Sequence, residues 1–178
     1  MARRRSGHRL PATLAVTGAL VAAVMHANAG RAVQTPAPAV WPLPDAAWSQ
    51  FRRVDEGVDL QYPGTGPVPV SAAAAGRVVV LGPDPNGFGD AYPGLVLDHP
   101  AKVAGRTFTE VYYGHAFPDP TVAGQHVSGG DVIGHTGGLH SGGNAYPDSN
   151  WVEIGFFPPS YVNGPLMRQW LAARGARP

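Results

Sequence analysis

The sequence predicts an all-β domain with an antiparallel core, closed by one short C-terminal helix. Three observations predict it. The apolar runs after Trp48 are too short for ordinary helices, and several are β-branched or aromatic. Twenty-four glycines and nineteen prolines cut them into pieces, as in a loop-rich β domain. Helix start and stop signals bracket a single segment near the C-terminus.

The elements follow in order. "VPVSAAAAGRVVVLG" enters a strand through small residues ending at Gly76, with Val78-Val79-Val80 as its buried run. "GLVLDH" reads as the next strand. "RTFTEVYYG" alternates, placing Phe108, Glu110 and Tyr112 on one face and Thr107, Thr109, Val111 and Tyr113 on the other. "QHVSGGDVIGHTG" and "NWVEIGFF" supply two further strands, and the second carries Trp151 and Glu153 on one face. Asn163 near an N-cap, Pro165 in a first turn and Gly175 as a stop frame "LMRQWLAARG" as a helix. Leu166, Met167, Trp170 and Leu171 form its docking face. Asn86-Gly-Phe-Gly89 and the glycine-rich stretch from Gly137 to Asn144 read as loops.

The N-terminus belongs to a different class. Arg3, Arg4, Arg5 and Arg9 precede an uncharged apolar run, Leu10 to Met25, and Ala27-Asn28-Ala29 offers a small-x-small cleavage site. That is the pattern of a secretory signal peptide. The run contains Pro11 and is shorter than the span of about 20 residues a membrane helix needs. The expected organisation is a signal peptide over 1–29, a Pro/Ala-rich linker over 30–47, the β domain over 48–160 and a helical tail over 161–178. A membrane association would require the signal to stay uncleaved; either way the domain lies outside the membrane, and heavy use of Ala, Gly, Pro and Arg with a single lysine suggests a GC-rich bacterial genome, hence a bacterial cell envelope or secretion.

Composition then excludes several partners. Four of the 13 Lys+Arg fall within residues 1–29, leaving 9 against 12 Asp+Glu, so the exported chain carries about −3. Lys102 is the only lysine and there is no basic stripe, which argues against nucleic acid. With no cysteine, an exported chain must be held by burial rather than by disulfides.

Four pieces carry candidate chemistry: Asp55-x-Gly57-x-Asp59; Tyr113-Gly-His115; Val127-x-x-Gly130-Asp131-x-Ile133-Gly134; and Trp151-Val-Glu153, with Ser149 just before it. Their order and spacing over about residues 52–158 resemble the M23 (lysostaphin-like, LytM) metallopeptidases. That family opens with His-x-Gly-x-Asp, continues through Tyr-x-His and the Val-x-x-Gly-Asp-x-Ile-Gly turn, and closes with His-x-His-Phe-Glu. The resemblance implies the duplicated hybrid motif of antiparallel strands. It also implies zinc held at the positions of Asp55, Asp59 and Trp151, assisted by His115 and the position of Ser149.

Residue by residue, the match fails where the chemistry lies. Asp59 and His115 keep the family's residue types, but Asp55, Trp151 and Ser149 stand where it has histidine. Indole offers only an N–H donor and cannot ligate a metal, while two carboxylates without imidazole favour harder ions than zinc. His140, in "GLHSGGNAYPDSN", is the candidate substitute ligand; zinc is expected only if it completes the site, and otherwise no cofactor. Simpler roles compete at each position. Asp55 and Asp59 can cap the turn at Gly57, His115 can bond backbone at a strand end, Trp151 can fill core space and Glu153 can pair within the fold.

The resulting expectation is an exported, wall-associated M23-like scaffold without hydrolytic activity. It would bind peptidoglycan or a wall protein through Tyr113, Trp151 and Glu153, with Tyr112 as a further aromatic. The alternative is a peptidoglycan endopeptidase with an altered metal site. Biotinyl and lipoyl carrier domains share part of the strand pattern, but Lys102 in "HPAKVAGR" lacks their attachment context.

Overall fold

The computed structural model describes residues 39–43, 50–63, 67–83, 87–137 and 150–173, all within one compact unit, Pro36–Pro178. The signal segment, His140, Ser149 and Gly175 lie outside the described residues. The strands are β1 (Gln50–Val54), β2 (Val58–Gln61), β3 (Pro69–Ser71), β4 (Gly76–Leu81) and β5 (Tyr92–Val103). They continue with β6 (Arg106–Gly114), β7 (Ala116–Pro118), β8 (His126–Val127), β9 (Val132–Thr136) and β10 (Trp151–Phe156), before helix α1 (Asn163–Ala173). A seven-stranded sheet runs β1-β2-β10-β6-β5-β4-β8, and a three-stranded sheet runs β3-β9-β7. Every strand pair is antiparallel. The all-β expectation with one C-terminal helix holds.

The large sheet is covered on both faces. Val58, Leu60, Leu95, Val111, Tyr113, Val152, Ile154 and Phe156 join the main core, to which the small sheet adds Val70 and Ile133. On the other face Phe88, Tyr92 and Tyr112 form a separate aromatic cluster, with the Phe88 and Tyr112 rings stacked at 4.9 Å. Two covered faces explain why Tyr112 and Tyr113, neighbours pointing opposite ways, are both fully buried. The predicted alternation of β6 breaks at Phe108, which turns into the main core and stacks on Phe156 at 4.0 Å. Opposite it, β5 is irregular between Val96 and Ala101, and this shifts the register.

The helix docks through the predicted residues. Leu166, Met167, Trp170 and Leu171 are buried, and Trp170 meets Phe156 edge-on at 5.7 Å. Two expectations need correction. Val78 is fully buried but Val80, two residues on and on the same face, is 49% exposed, so the buried run ends part-way along β4; β8 pairs only with Gly76 and Arg77 and leaves the rest of β4 as a sheet edge. Within the segment read as a linker, Ala39, Trp41 and Leu43 are core residues. Their backbone is tied down as well, since Val40 N–H donates to Ala73 and Ser71 N–H donates to Pro42. An extended proline-rich strand can lie along a sheet without turning, and one tryptophan supplies enough apolar area to hold it there. Among the described residues, no helix is long and apolar enough to cross a membrane.

Candidate functional site

The opening motif is a hairpin. Val54 pairs with Val58, so Asp55, Glu56 and Gly57 form the loop between β1 and β2, closed by the Asp55 N–H donating to Gly57 at 3.1 Å. Gly57 is required by its surroundings: a Cβ there would lie 2.6 Å from the Ile154 carbonyl oxygen, 2.7 Å from the Tyr112 hydroxyl and 2.8 Å from Glu153 Oε1. Asp59, one residue into β2, stands opposite Arg53 on one side and Glu153 on the other. Glu153 in turn faces Gly114 of β6. A row of Arg53, Asp59, Glu153 and Gly114 therefore crosses four adjacent strands on one face.

Each carboxylate in the row has a built environment. Glu153 is 1% exposed and accepts the Tyr112 O–H at 2.6 Å. The hydroxyl end of the Tyr112 ring lies against Gly155, where a Cβ would collide with it. Burial pushes the Glu153 carboxyl up to about 8; Tyr112 opposes this, and the charges of Asp55, Asp59 and Glu56 add to it. Glu153 is therefore largely protonated at neutral pH. Burial and the same carboxylate hold the Tyr112 phenol far above its ordinary range, so it is a permanent donor. Asp55 is also raised, first by burial and then by Glu56, with Arg53 working against both.

Arg53 joins the two aspartates. Its NH2 group lies 2.7 Å from Asp55 Oδ2 and its Nε 3.1 Å from Asp59 Oδ2. Burial tends to lower the guanidinium, but Asp59, Asp55 and Glu153 outweigh it and hold the group above its usual value. A register irregularity between Phe51 and Arg53 aims this side chain onto the row.

At the far end, His115 has a left-handed backbone, φ 62°, a conformation that histidine tolerates better than most residues. Its N–H donates to Phe88 at 2.9 Å. Its ring meets Phe88 edge-on at 5.6 Å and carries Trp151 at 4.1 Å with a 38° tilt. Only 5% of His115 is exposed, and Trp151 is the half-buried residue over it.

The structure thus brings together Asp55, Asp59 and Glu153, and separately His115 and Trp151. It does not bring Tyr113 to this face. Tyr113 is fully buried in the main core, where its hydroxyl accepts the Ala73 N–H at 2.7 Å, so it presents nothing to a ligand. Glu153 is likewise closed off by its pairing with Tyr112. Residues that the sequence reading missed are Arg53, Glu56 and Tyr161. The Tyr161 hydroxyl hydrogen-bonds Glu56, which reduces the phenol's acidity. The signal for Arg53 was present in "RVDEGVD": a tight hairpin at Gly57 puts residue 53 across from residue 59.

The donor set does not fit zinc. Among the described residues, the metal-ligating groups that converge within 4.8 Å are Asp55, Glu56 and Glu153, all carboxyls, one of them largely protonated at neutral pH. Catalytic zinc takes about three protein ligands, with imidazole or thiolate among them. Here Trp151 holds the remaining position, and both aspartates are bonded to an arginine.

No family profile matches this sequence, and no curated protein matches it. Solved structures do match. The solution structure of lysostaphin superposes with a TM-score of 0.53 at 18% identity, over 79% of this chain and 55% of that one. The fold is lysostaphin-like. A second lysostaphin structure, described as the antimicrobial peptidase from Staphylococcus simulans, gives 0.46 at 20% identity over 72% and 48% of the two chains. CbpA from L. salivarius REN gives 0.44 at 16% identity over 76% and 98%. The chain spans about half the length of the lysostaphin chains it matches. The likeness concerns the M23-type fold and leaves the chemistry to this chain's own residues.

Proposed function

We propose that this chain is an exported cell-wall domain that binds peptidoglycan, or a protein in the wall, without cutting it. In this reading residues 1–29 are a signal peptide and the chain acts outside the membrane of a bacterium. The observation that carries it is the close, tilted Trp151–His115 ring contact. The position at which the resemblance implies the last zinc ligand holds an indole, packed at 4.1 Å on the histidine at the family's helper position. An imidazole under an indole and 5% exposed is poorly placed to take a proton from substrate or water. The half-buried Trp151 edge, with Gln61 opposite it on β2, is the ligand contact we assign to this face.

The endopeptidase reading draws on one observation, the convergence of Asp55, Glu56 and Glu153. It needs His140, outside the described residues, to supply the missing nitrogen ligand.

Sedimentation with purified peptidoglycan sacculi, followed by mass spectrometry of the supernatant, separates the two. The expected result is a pelleted protein, weakened binding by Trp151→Ala, and no released wall peptides with or without added zinc. Zinc-dependent release that is lost in His140→Ala would overturn the proposal.

A further inference from the structure

We infer that Arg53 is the resident cation of the Asp55–Asp59 pair. It takes the electrostatic place of a divalent metal, so the hairpin is folded and neutralised without one. This concerns the same site as the proposed function but does not depend on what the domain binds.

The need for a cation is set by burial. The Asp55 side chain is 12% exposed and that of Asp59 4%, while Glu56 and Glu153 add acidic groups within a few ångströms of Asp55. Buried carboxylates left to repel one another would take up protons or open the hairpin. Glu153 takes the first course and is held protonated near neutral pH. Asp55 and Asp59 instead share one guanidinium edge. Nε–H and an N–H of the Nη2 group lie along one edge of the planar guanidinium, and each donates to a different carboxylate.

Three features show that the arrangement is built in. Arg53 is paired with Asp59 across the ladder, so the backbone delivers it to the site. The irregularity after Phe51 sets which face it occupies. Its side chain is 62% exposed, so the donors not used by the aspartates stay hydrated and the charge is cheap to keep in place. Unlike a metal, this cation can be removed neither by a chelator nor by mild acid, since the guanidinium never releases its proton in the accessible range.

The test uses the full chain without a histidine tag, as wild type, Arg53→Ala, Arg53→Lys and Arg53→Ala/Asp59→Ala. Thermal unfolding and calorimetry are run with Mn²⁺, Zn²⁺ or a chelator. For the wild type, the expected result is a midpoint indifferent to metal and chelator alike. Arg53→Ala should melt lower in chelator, recover with Mn²⁺, and bind Mn²⁺ at least about 10-fold more tightly than wild type, roughly 1.4 kcal/mol. Arg53→Lys should stay metal-independent, and Asp59→Ala should abolish the gained binding. If Arg53→Ala is unfolded in chelator, refolding on Mn²⁺ addition gives the same support. Stoichiometric Zn²⁺ binding by wild type would overturn the inference. So would an Arg53→Ala variant that neither loses stability nor gains metal response, or one that metal fails to refold. Sacculus binding is read separately, so loss of either result leaves the other interpretable.

Discussion

Glu153 offers the sharpest quantitative check on the site. Its carboxyl is raised from 4.5 to about 8 in the folded protein, with burial the leading cause. Between those values the folded chain keeps a proton that the unfolded chain has released. This group's contribution is therefore complete below about pH 4.5, and stability falls as pH rises toward about 8, then levels. The slope is about 1.4 kcal/mol per pH unit, so the interval from about pH 5 to about pH 7.5 costs about 3 kcal/mol. Glu153→Gln keeps an acceptor for the Tyr112 O–H and removes the titration. Urea unfolding of both proteins with chelator present, at several pH values, isolates the term, because the other groups cancel in the difference. Relative to wild type, the variant should gain about 3–4 kcal/mol between about pH 5 and about pH 8. Parallel profiles would mean that Glu153 ionises normally, and the account of burial and carboxylate crowding would be wrong. A variant less stable than wild type at the alkaline end would be worse still for it. That result would require an ionised Glu153 matched by a cation.

Three further outcomes follow from contacts. Gly57→Ala drives a methyl against the Ile154 carbonyl, the Tyr112 hydroxyl and Glu153, and should cost about 2–3 kcal/mol by chemical denaturation, against near-neutral behaviour for Gly105→Ala read the same way if open space alone mattered. Because Gly105 also has φ +77°, a modest loss of about 1 kcal/mol is expected there. Trp170→Ala empties the contact with Phe156 and should cost about 3–5 kcal/mol, with the helix no longer protected in amide exchange. Gly164→Ala places a methyl on the carbonyls of Asp55 and Gly57, so it should disturb the hairpin loop, read as changed amide shifts at Glu56 and Gly57.

How much of this was legible in the sequence depends on the range of the interaction. Short β-branched runs, turn residues and the Asn163–Pro165 helix start are local signals, and they placed the strands and the helix. The convergence of Asp55, Asp59 and Glu153 was legible from motif order, since an antiparallel β2–β10 pairing sets residue 153 against residue 59. Arg53 was legible only in part: a hairpin at Gly57 sets residue 53 across from residue 59, but the backbone irregularity next to it is announced by no residue type. Tyr113 was misassigned because alternation says that two tyrosines face opposite ways without saying which side is wet. Here neither is: Phe88 and Tyr92 cover one face and the main core covers the other. Trp41 was lost in a proline-rich stretch whose composition is that of a tether, although its docking on the core is a long-range fact.

The site's two ends are closed by different physics, and the combination bears on catalysis. At the hairpin end the deficit is electrostatic, and Arg53 meets it. At the other end the closure is steric, with Trp151 over His115. Neither device replaces what a metal contributes to hydrolysis. A guanidinium neutralises carboxylates, but it has no open coordination position and cannot bring a bound water to a pKa near 7. On the proposed reading, a hydrolytic centre would therefore take changes at both ends together. A histidine at 151 without removal of Arg53 would still find Asp55 and Asp59 engaged, and loss of Arg53 alone would leave carboxylates that suit a hard cation better than zinc. Single substitutions should consequently leave the chain inactive on wall peptides, and only the double change Arg53→Ala/Trp151→His should bring zinc binding within reach of calorimetry. Zinc bound equally well by Trp151→His alone would show that Arg53 yields the aspartates freely, and that the steric closure is the one that matters.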